Sequence, residues 1–422
     1  MPPAFAAHRP ATTVLLVAAL AGLFFASFST YDFAQHLDRQ VHDIHCSFVP
    51  GVVSGASEAN SGCQVTMMSP YSSVLRKAMW GGLPISLPAM GVFAFLFFRG
   101  LWLLGRANRR TRAAALAVLL TATVCLAATV VMAGIAFVTL GAACKLCIGI
   151  YCASVTAFIA SLLIWRSTKW QEHEPGVDDS LPREMMSAGA QLSAFVAVPA
   201  AIYVLLMPDH SQFVGTCGRI DDAKDPYGVM VPIGPQSGVP SIEVFDPLCP
   251  ACRGFERRLV ASRLDRKLAR QAVLFPLDDR CNWMISKALH PGACTISEAV
   301  LCAAEHSSAR AEEVIAWAFD QQDQIRAATV GDPEAAAKLV AAAFPQVASC
   351  LGSAKVQQRL NRSLRWTVKN QIPVLTPQLY VAGRKLCDED TDLGLDFALS
   401  RMLDMHARGE LETTSRKSEA SP

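Results

Sequence analysis

Charged residues vanish from four long stretches of the first half of the chain. None lies between Arg9 and Asp32, between Lys77 and Arg99, or between Glu184 and Asp209, and from Ala113 to Trp165 the only charge is Lys145. A spanning helix needs about 20 apolar residues, so the last stretch is long enough for two, turning near Val138 to Ala143. The pattern predicts five spans. Past Met207 the pattern changes. SIEVF (Ser241 to Phe245) and QAVLFPL (Gln271 to Leu277) are short β-favouring runs. An Ala-rich helical region follows, from about Ile285 to Gln371. The run IPVLTPQLYVAGRKL then reads as a hairpin turning at Ala382–Gly383, with its first strand opened by Pro377, and a last helix falls near Leu393 to His406.

The predicted architecture is an α-helical membrane bundle, a four-helix core plus a fifth spanning helix, followed by an α/β domain with a helical insertion. Expected boundaries are 1–170 for the membrane domain, 171–208 for a linker and the fifth helix, 209–240 for a loose Gly/Pro-rich linker, 241–410 for the α/β domain and 411–422 for a polar tail.

Charge adds an orientation. The connection after the second span carries Arg99, Arg106, Arg109, Arg110 and Arg112, which places it in the cytoplasm by the positive-inside rule. The 32–77 loop, the turn between spans three and four, and everything after Met207 then lie outside. Val14 to Phe28 is also short enough for a signal-peptide core, and its cleavage would leave the remaining topology unchanged. Apolar residues make up 52% of the chain and charged ones 18%, with a net charge of +2. No Lys/Arg-rich block points to nucleic acid.

On this map none of the fourteen cysteines faces cytoplasmic solvent. Cys46 and Cys63 lie in the first outer loop, Cys144 and Cys147 at the outer end of span four, and Cys125 and Cys152 within spans as small apolar packers. The other eight are in the outer C-terminal half, where disulfides persist. Random placement of fourteen cysteines gives roughly half a Cys-x-x-Cys pair, so position rather than number carries the signal. One pair, Cys249-Pro-Ala-Cys252, follows a strand and opens an amphipathic helix. Pro250 suits the first turn. Cys249 then meets the exposed amides and positive dipole end, which favour its thiolate, while Cys252 can resolve a mixed disulfide. Cys281 and Cys294, flanking an HPG turn, read as a structural disulfide. Cys350 with Cys387 is one pairing that the sequence admits among the remainder. No nearby His pair completes a zinc site, so no metal is expected.

The C-terminal half resembles the thioredoxin-superfamily disulfide oxidoreductases of the bacterial periplasm that carry a helical insert. The matching residues are Cys249–Cys252 and Thr376–Pro377, the latter implying a cis proline against the active cysteines. The N-terminal residues 10–165 resemble the vitamin K epoxide reductase family. They show two loop cysteines, Ser69 shortly after the second, a Gly/Pro approach to span two, and C-x-x-C-x-x-x-Y in CKLCIGIY, ending at Tyr151. The sixteen residues between Cys46 and Cys63 and the lack of an asparagine at the start of span two depart from that pattern. The resemblance implies a quinone-dependent thiol oxidase of the inner membrane, with its thioredoxin-like domain on the periplasmic side, acting on exported proteins with reduced cysteines. Electrons would pass from Cys249/Cys252 to Cys46/Cys63, then to Cys144/Cys147, and from Cys147 to ubiquinone or menaquinone. Tyr151 and Ser69 would lie at the quinone. The same relay run to reduce quinone or its epoxide, and a membrane-tethered redox sensor or thiol chaperone with little turnover, are the alternative readings.

Overall fold

The computed structural model describes residues 8–39, 62–105, 112–142, 144–167, 181–332 and 334–411. They divide into two units, Met1–Pro208 and Asp209–Pro422.

Among the described residues of the first unit, five helices are long and apolar enough to cross a membrane. They are α1 (His8–Gln35), α3 (Ser86–Gly105), α4 (Arg112–Gly134), α5 (Lys145–Ser167) and α6 (Leu181–Leu206); a short helix α2 (Gly62–Met67) lies between α1 and α3. Leu15, Phe93, Leu96, Leu103, Val118 and Ile164 fill the core between α1, α3, α4 and α5. Small residues let the helices close up, as at Gly22, where a Cβ would stand 2.4 Å from the Phe93 ring. The fifth apolar helix, α6, rests on α3 through Phe195, whose ring lies 5.6 Å from that of Phe98. At one end of that contact Glu184 pairs with the buried Arg99, as a charge at a lipid-facing helix requires.

The second span starts at Ser86, where GGLPIS leads into it. Residues 73–84 form a small antiparallel hairpin, β1 (Ser73–Val74) with β2 (Leu83–Pro84). Gly81 and Gly82, both at positive φ, make the turn. The third span, α4, ends in one wide turn, Ile135–Thr139, in which the Leu140 N–H donates to the Ile135 carbonyl at 3.0 Å.

The second unit is built on a five-stranded sheet in the order β3-β5-β4-β6-β7. The strands are β3 (Val231–Ile233), β4 (Val239–Phe245), β5 (Leu268–Leu274), β6 (Gln378–Val381) and β7 (Arg384–Lys385). β4 and β5 run parallel, with Ile242 opposite Gln271, and α7 (Pro250–Ala261) crosses between them. β4 pairs antiparallel with β6, which turns through Ala382 and Gly383 into β7. The helical insert holds α8 (Ala293–Ala304), α9 (Ser308–Asp320), α10 (Gln322–Thr329), α11 (Ala335–Ala343), α12 (Pro345–Ala348) and α13 (Ala354–Lys369); α14 (Leu395–Ala407) closes the unit. A parallel β-α-β core, a helical insert and a terminal hairpin with its helix make this a thioredoxin-like fold.

Several expectations change. The segment 209–240 is not a loose tether: β3 adds antiparallel to β5, with Pro232 opposite Gln271, and Val229 and Val231 are fully buried. Its Pro and Gly residues mask a three-residue strand whose pairing lies forty residues away. The helical region starts at Ala293 rather than Ile285, because Asn282 and His290 are held in a loop by backbone contacts to Pro276 and Leu277. Pro377 precedes β6 rather than opening it.

Cys281–Cys294, Cys217–Cys387 and Cys302–Cys350 are disulfides. The pairing of Cys350 with Cys387 is therefore incorrect. The insert brings Cys350 to α8, whereas Cys387 follows β7 and meets the segment before β3. Cys217–Cys387 spans 170 residues, and the chain-entropy model assigns a loop of that length about 5 kcal/mol, the top of the usual range. Replacing both with serine is expected to destabilise the second unit by about 3–5 kcal/mol. Thermal unfolding of the full chain in detergent measures it, and an unchanged midpoint would refute the assignment of that stability to this bond.

Candidate active site

Two cysteine centres form, one in each unit. In the second unit β4 ends at Phe245 and the chain turns through Asp246 to Leu248. The Asp246 carboxylate fixes that turn by accepting the Leu248 N–H and the Leu277 N–H, each at 2.7 Å, and it lies 2.7 Å from His290 Nδ1. Cys249 is the N-cap of α7, in extended conformation, with Pro250 at the first helical position. Its thiol lies 3.6 Å from the Thr376 carbonyl, and the Thr376–Pro377 peptide is cis. The structure thus brings Cys249, Cys252, Thr376 and Pro377 together.

The two thiols differ sharply. A hydrogen bond from the Cys252 thiol, with smaller ones from Thr376 and the Cys252 backbone, lowers the Cys249 pKa to about 6 against the opposing effect of burial. Burial first, then the same shared hydrogen bond, pushes Cys252 well up. One sulfur is ready to attack and the other is held protonated beneath it.

Three features near this centre carry no signal in local sequence. Gln322, at the start of α10, donates from Nε2 to the carbonyls of Pro247 (3.2 Å) and Cys249 (3.1 Å), tying the insert to the active turn. Arg253 on α7 makes a two-pronged contact with Asp323 at 2.9 and 3.1 Å. Under the turn, Arg270 on β5 bridges Glu243 on β4 (3.0 Å) and Glu256 on α7 (2.5 Å). Burial raises the Glu243 pKa to about 7, with Arg270 opposing.

In the first unit a cavity of about 80 Å³ opens between α1, α2, α5 and the wide turn after α4. Cys63, Ser69, Cys144, Cys147 and Tyr151 all line it. Cys63 is disulfide-bonded and buried against Cys144 and Leu146, with Cys147 packed beside them. Cys144 and Cys147 are both thiols, and the Cys147 N–H points to the Cys144 sulfur at 3.4 Å. Cys46 lies outside the described residues. Tyr151 follows Cys147 by one helical turn and faces the same space. Ser69 lies seventeen residues before the start of the second span. Its hydroxyl donates to the Thr66 carbonyl at 2.7 Å, and its own carbonyl accepts from Arg76 at 2.8 Å.

Asp32 lines the same cavity and is only 2% exposed. Read as a sequence, it marks the end of an apolar run. In the fold it belongs to α1, which continues to Gln35. A charge inside the last turns of a span was the signal that could have singled it out.

The family model for the vitamin K epoxide reductase family matches residues 13–162. No curated protein matches the chain. Among solved structures, an oxidised DsbA1 mutant is similar at 20% identity and a TM-score of 0.30, over 44% of this chain and 94% of that one. The oxidoreductase NmDsbA1 from N. meningitidis is similar at the same identity and TM-score, over 44% of this chain and 92% of that one.

Proposed function

We propose that the chain, whose residues 13–162 match the vitamin K epoxide reductase family and precede a thioredoxin-like domain, is a membrane-bound, quinone-dependent thiol oxidase. It makes disulfides in exported proteins from the inner membrane, with the thioredoxin-like domain on the periplasmic side. The observation that carries this reading is the single cavity shared by a disulfide-bonded Cys63, the Cys144/Cys147 dithiol and Tyr151. Its lining is mostly apolar, and a quinone ring is apolar with two polar oxygens.

The chemistry runs as successive exchanges. Two thiols of a client give two electrons and two protons to the Cys249–Cys252 disulfide through a mixed disulfide. That dithiol reduces the Cys46–Cys63 pair. Cys63 exchanges with Cys144, which packs against it, and Cys147 closes the Cys144–Cys147 disulfide as the quinone becomes quinol. Tyr151 orients the quinone by a hydrogen bond to one oxygen. Ser69 shapes the wall, since its hydroxyl is engaged with Thr66.

Steady consumption of a short-chain ubiquinone by the detergent-solubilised full chain, with reduced dithiothreitol as donor, tests the reading. Cys147→Ala is expected to lower turnover at least a thousandfold while the Cys249/Cys252 pair still exchanges with a reduced peptide. Wild-type protein that changes its disulfides once and leaves the quinone intact would overturn the oxidase reading in favour of a sensor.

A further inference from the structure

The Cys147 proton has to leave as its electrons do, and the cavity offers one carboxyl group to take it. Of the described residues lining that cavity, Asp32 alone bears a carboxyl, and none of them is a lysine, arginine or histidine. It sits on α1 and shares the cavity with Cys147 and Tyr151 of α5, with Cys144 just before that helix, and with Ser29 and Phe33 of its own helix. Its place in the helix is firm. One turn earlier, Phe28 packs against the Cys63–Cys144 cluster, and one turn later the His36 ring nitrogen Nδ1 meets the Asp32 carbonyl at 2.8 Å. A buried carboxyl in a spanning helix costs free energy that packing alone does not return, so such groups mark ion or proton paths.

We infer that Asp32 is the proton relay between the Cys147 thiol and the bound quinone. This rests on the quinone reading above. The carboxylate takes the proton from the Cys147 thiol, and the thiolate sulfur bonds to Cys144 as its electron pair passes to the quinone. The resulting Asp32 carboxylic acid returns the proton to one ring oxygen. The second proton comes from the Cys144 thiol. Two thiols thus become one disulfide, quinone becomes quinol, and Asp32 ends as it began.

The full chain in detergent, with dithiothreitol as donor and a short-chain ubiquinone as acceptor, carries the test. Asp32→Asn keeps the shape and removes the titration. It is expected to slow quinone reduction about a hundredfold, the usual yield of one positioned acid–base group. The KM for quinone should change little, which shows that the cavity of the first unit is still folded, and exchange of the Cys249/Cys252 pair with a reduced peptide should be as in wild type. Added formate should restore part of the rate, and Asp32→Glu should retain more of it than Asp32→Asn. Time-resolved infrared difference spectra taken during turnover should show a transient carboxylic-acid band that Asp32→Asn lacks. An Asp32→Asn variant that reduces quinone at the wild-type rate would overturn the relay while leaving the oxidase reading standing. A slow variant that formate does not help, with no carboxyl band lost, would make Asp32 structural. Wild-type protein that reduces no quinone would sink the oxidase reading itself.

Discussion

Arg270→Met is expected to lower the stability of the second unit by about 3–5 kcal/mol near pH 8, since it strands a buried acid. Arg270 is the shared partner of Glu243 and Glu256, and both the Arg270 and Glu243 side chains are almost fully buried. The effect depends on pH. The folded pKa of Glu243, about 7, lies above its ordinary 4.5. The folded state therefore binds that proton more tightly than the unfolded one. The favourable contribution is complete below pH 4.5 and is lost as pH rises through about 7. Without Arg270 the charged form is harder still to bury. The penalty of the substitution should be small near pH 4.5 and grow as pH rises through 7 and beyond. Hydrogen exchange of the β4 and β5 amides in the full chain, at pH 5 and pH 8, measures it. A penalty that is equal at both values would contradict the account.

Cys252→Ala should trap the client. In the variant the Cys249 thiolate attacks a disulfide of the client, forming a mixed disulfide and releasing one client thiolate, but the Cys252 thiol that would resolve it is gone, and release is expected to slow more than a thousandfold. Non-reducing electrophoresis of the reduced variant with a disulfide-bonded client protein reads the adduct directly. The same variant removes the largest influence that lowers the Cys249 pKa, the hydrogen bond from the Cys252 thiol. In the reduced wild type, alkylation of Cys249 should reach half its plateau near pH 6. One pH unit on either side of that midpoint should then differ roughly tenfold. In Cys252→Ala the midpoint should move up. The reduced form should also gain stability over the oxidised form as pH rises from about 6 towards 9, because the depressed pKa favours folded thiolate in that window. A midpoint that stays put in Cys252→Ala would show that helix α7 alone, rather than the neighbouring thiol, sets the reactivity of Cys249.

Much of this protein is written in local pattern. Apolar runs of the length of a bilayer gave five spans, because a helix in lipid must satisfy its own backbone and can show little else to its surroundings. The strand before Cys249, the Pro250 start and the turn at Ala382–Gly383 are equally local signals, and each stands where the sequence reading placed it. The membership of β3 in the sheet was hidden, because its three residues gain strand character only by pairing with Val231 opposite Ala272. The disulfide partners of Cys217 and Cys350 were hidden for the same reason: spacing along the chain does not report distance in space.

Sequence alone determined which cysteines form Cys-x-x-Cys pairs and that apolar helices precede a strand–Cys–helix turn, since those depend on neighbours within a few residues. Tertiary structure decided what surrounds them. It placed Gln322 on the carbonyls of the active turn, Arg270 between two glutamates, and Asp32 in the cavity with Cys147. Those contacts join residues on different helices and strands, and their chemistry comes from burial, which no single stretch of sequence can set.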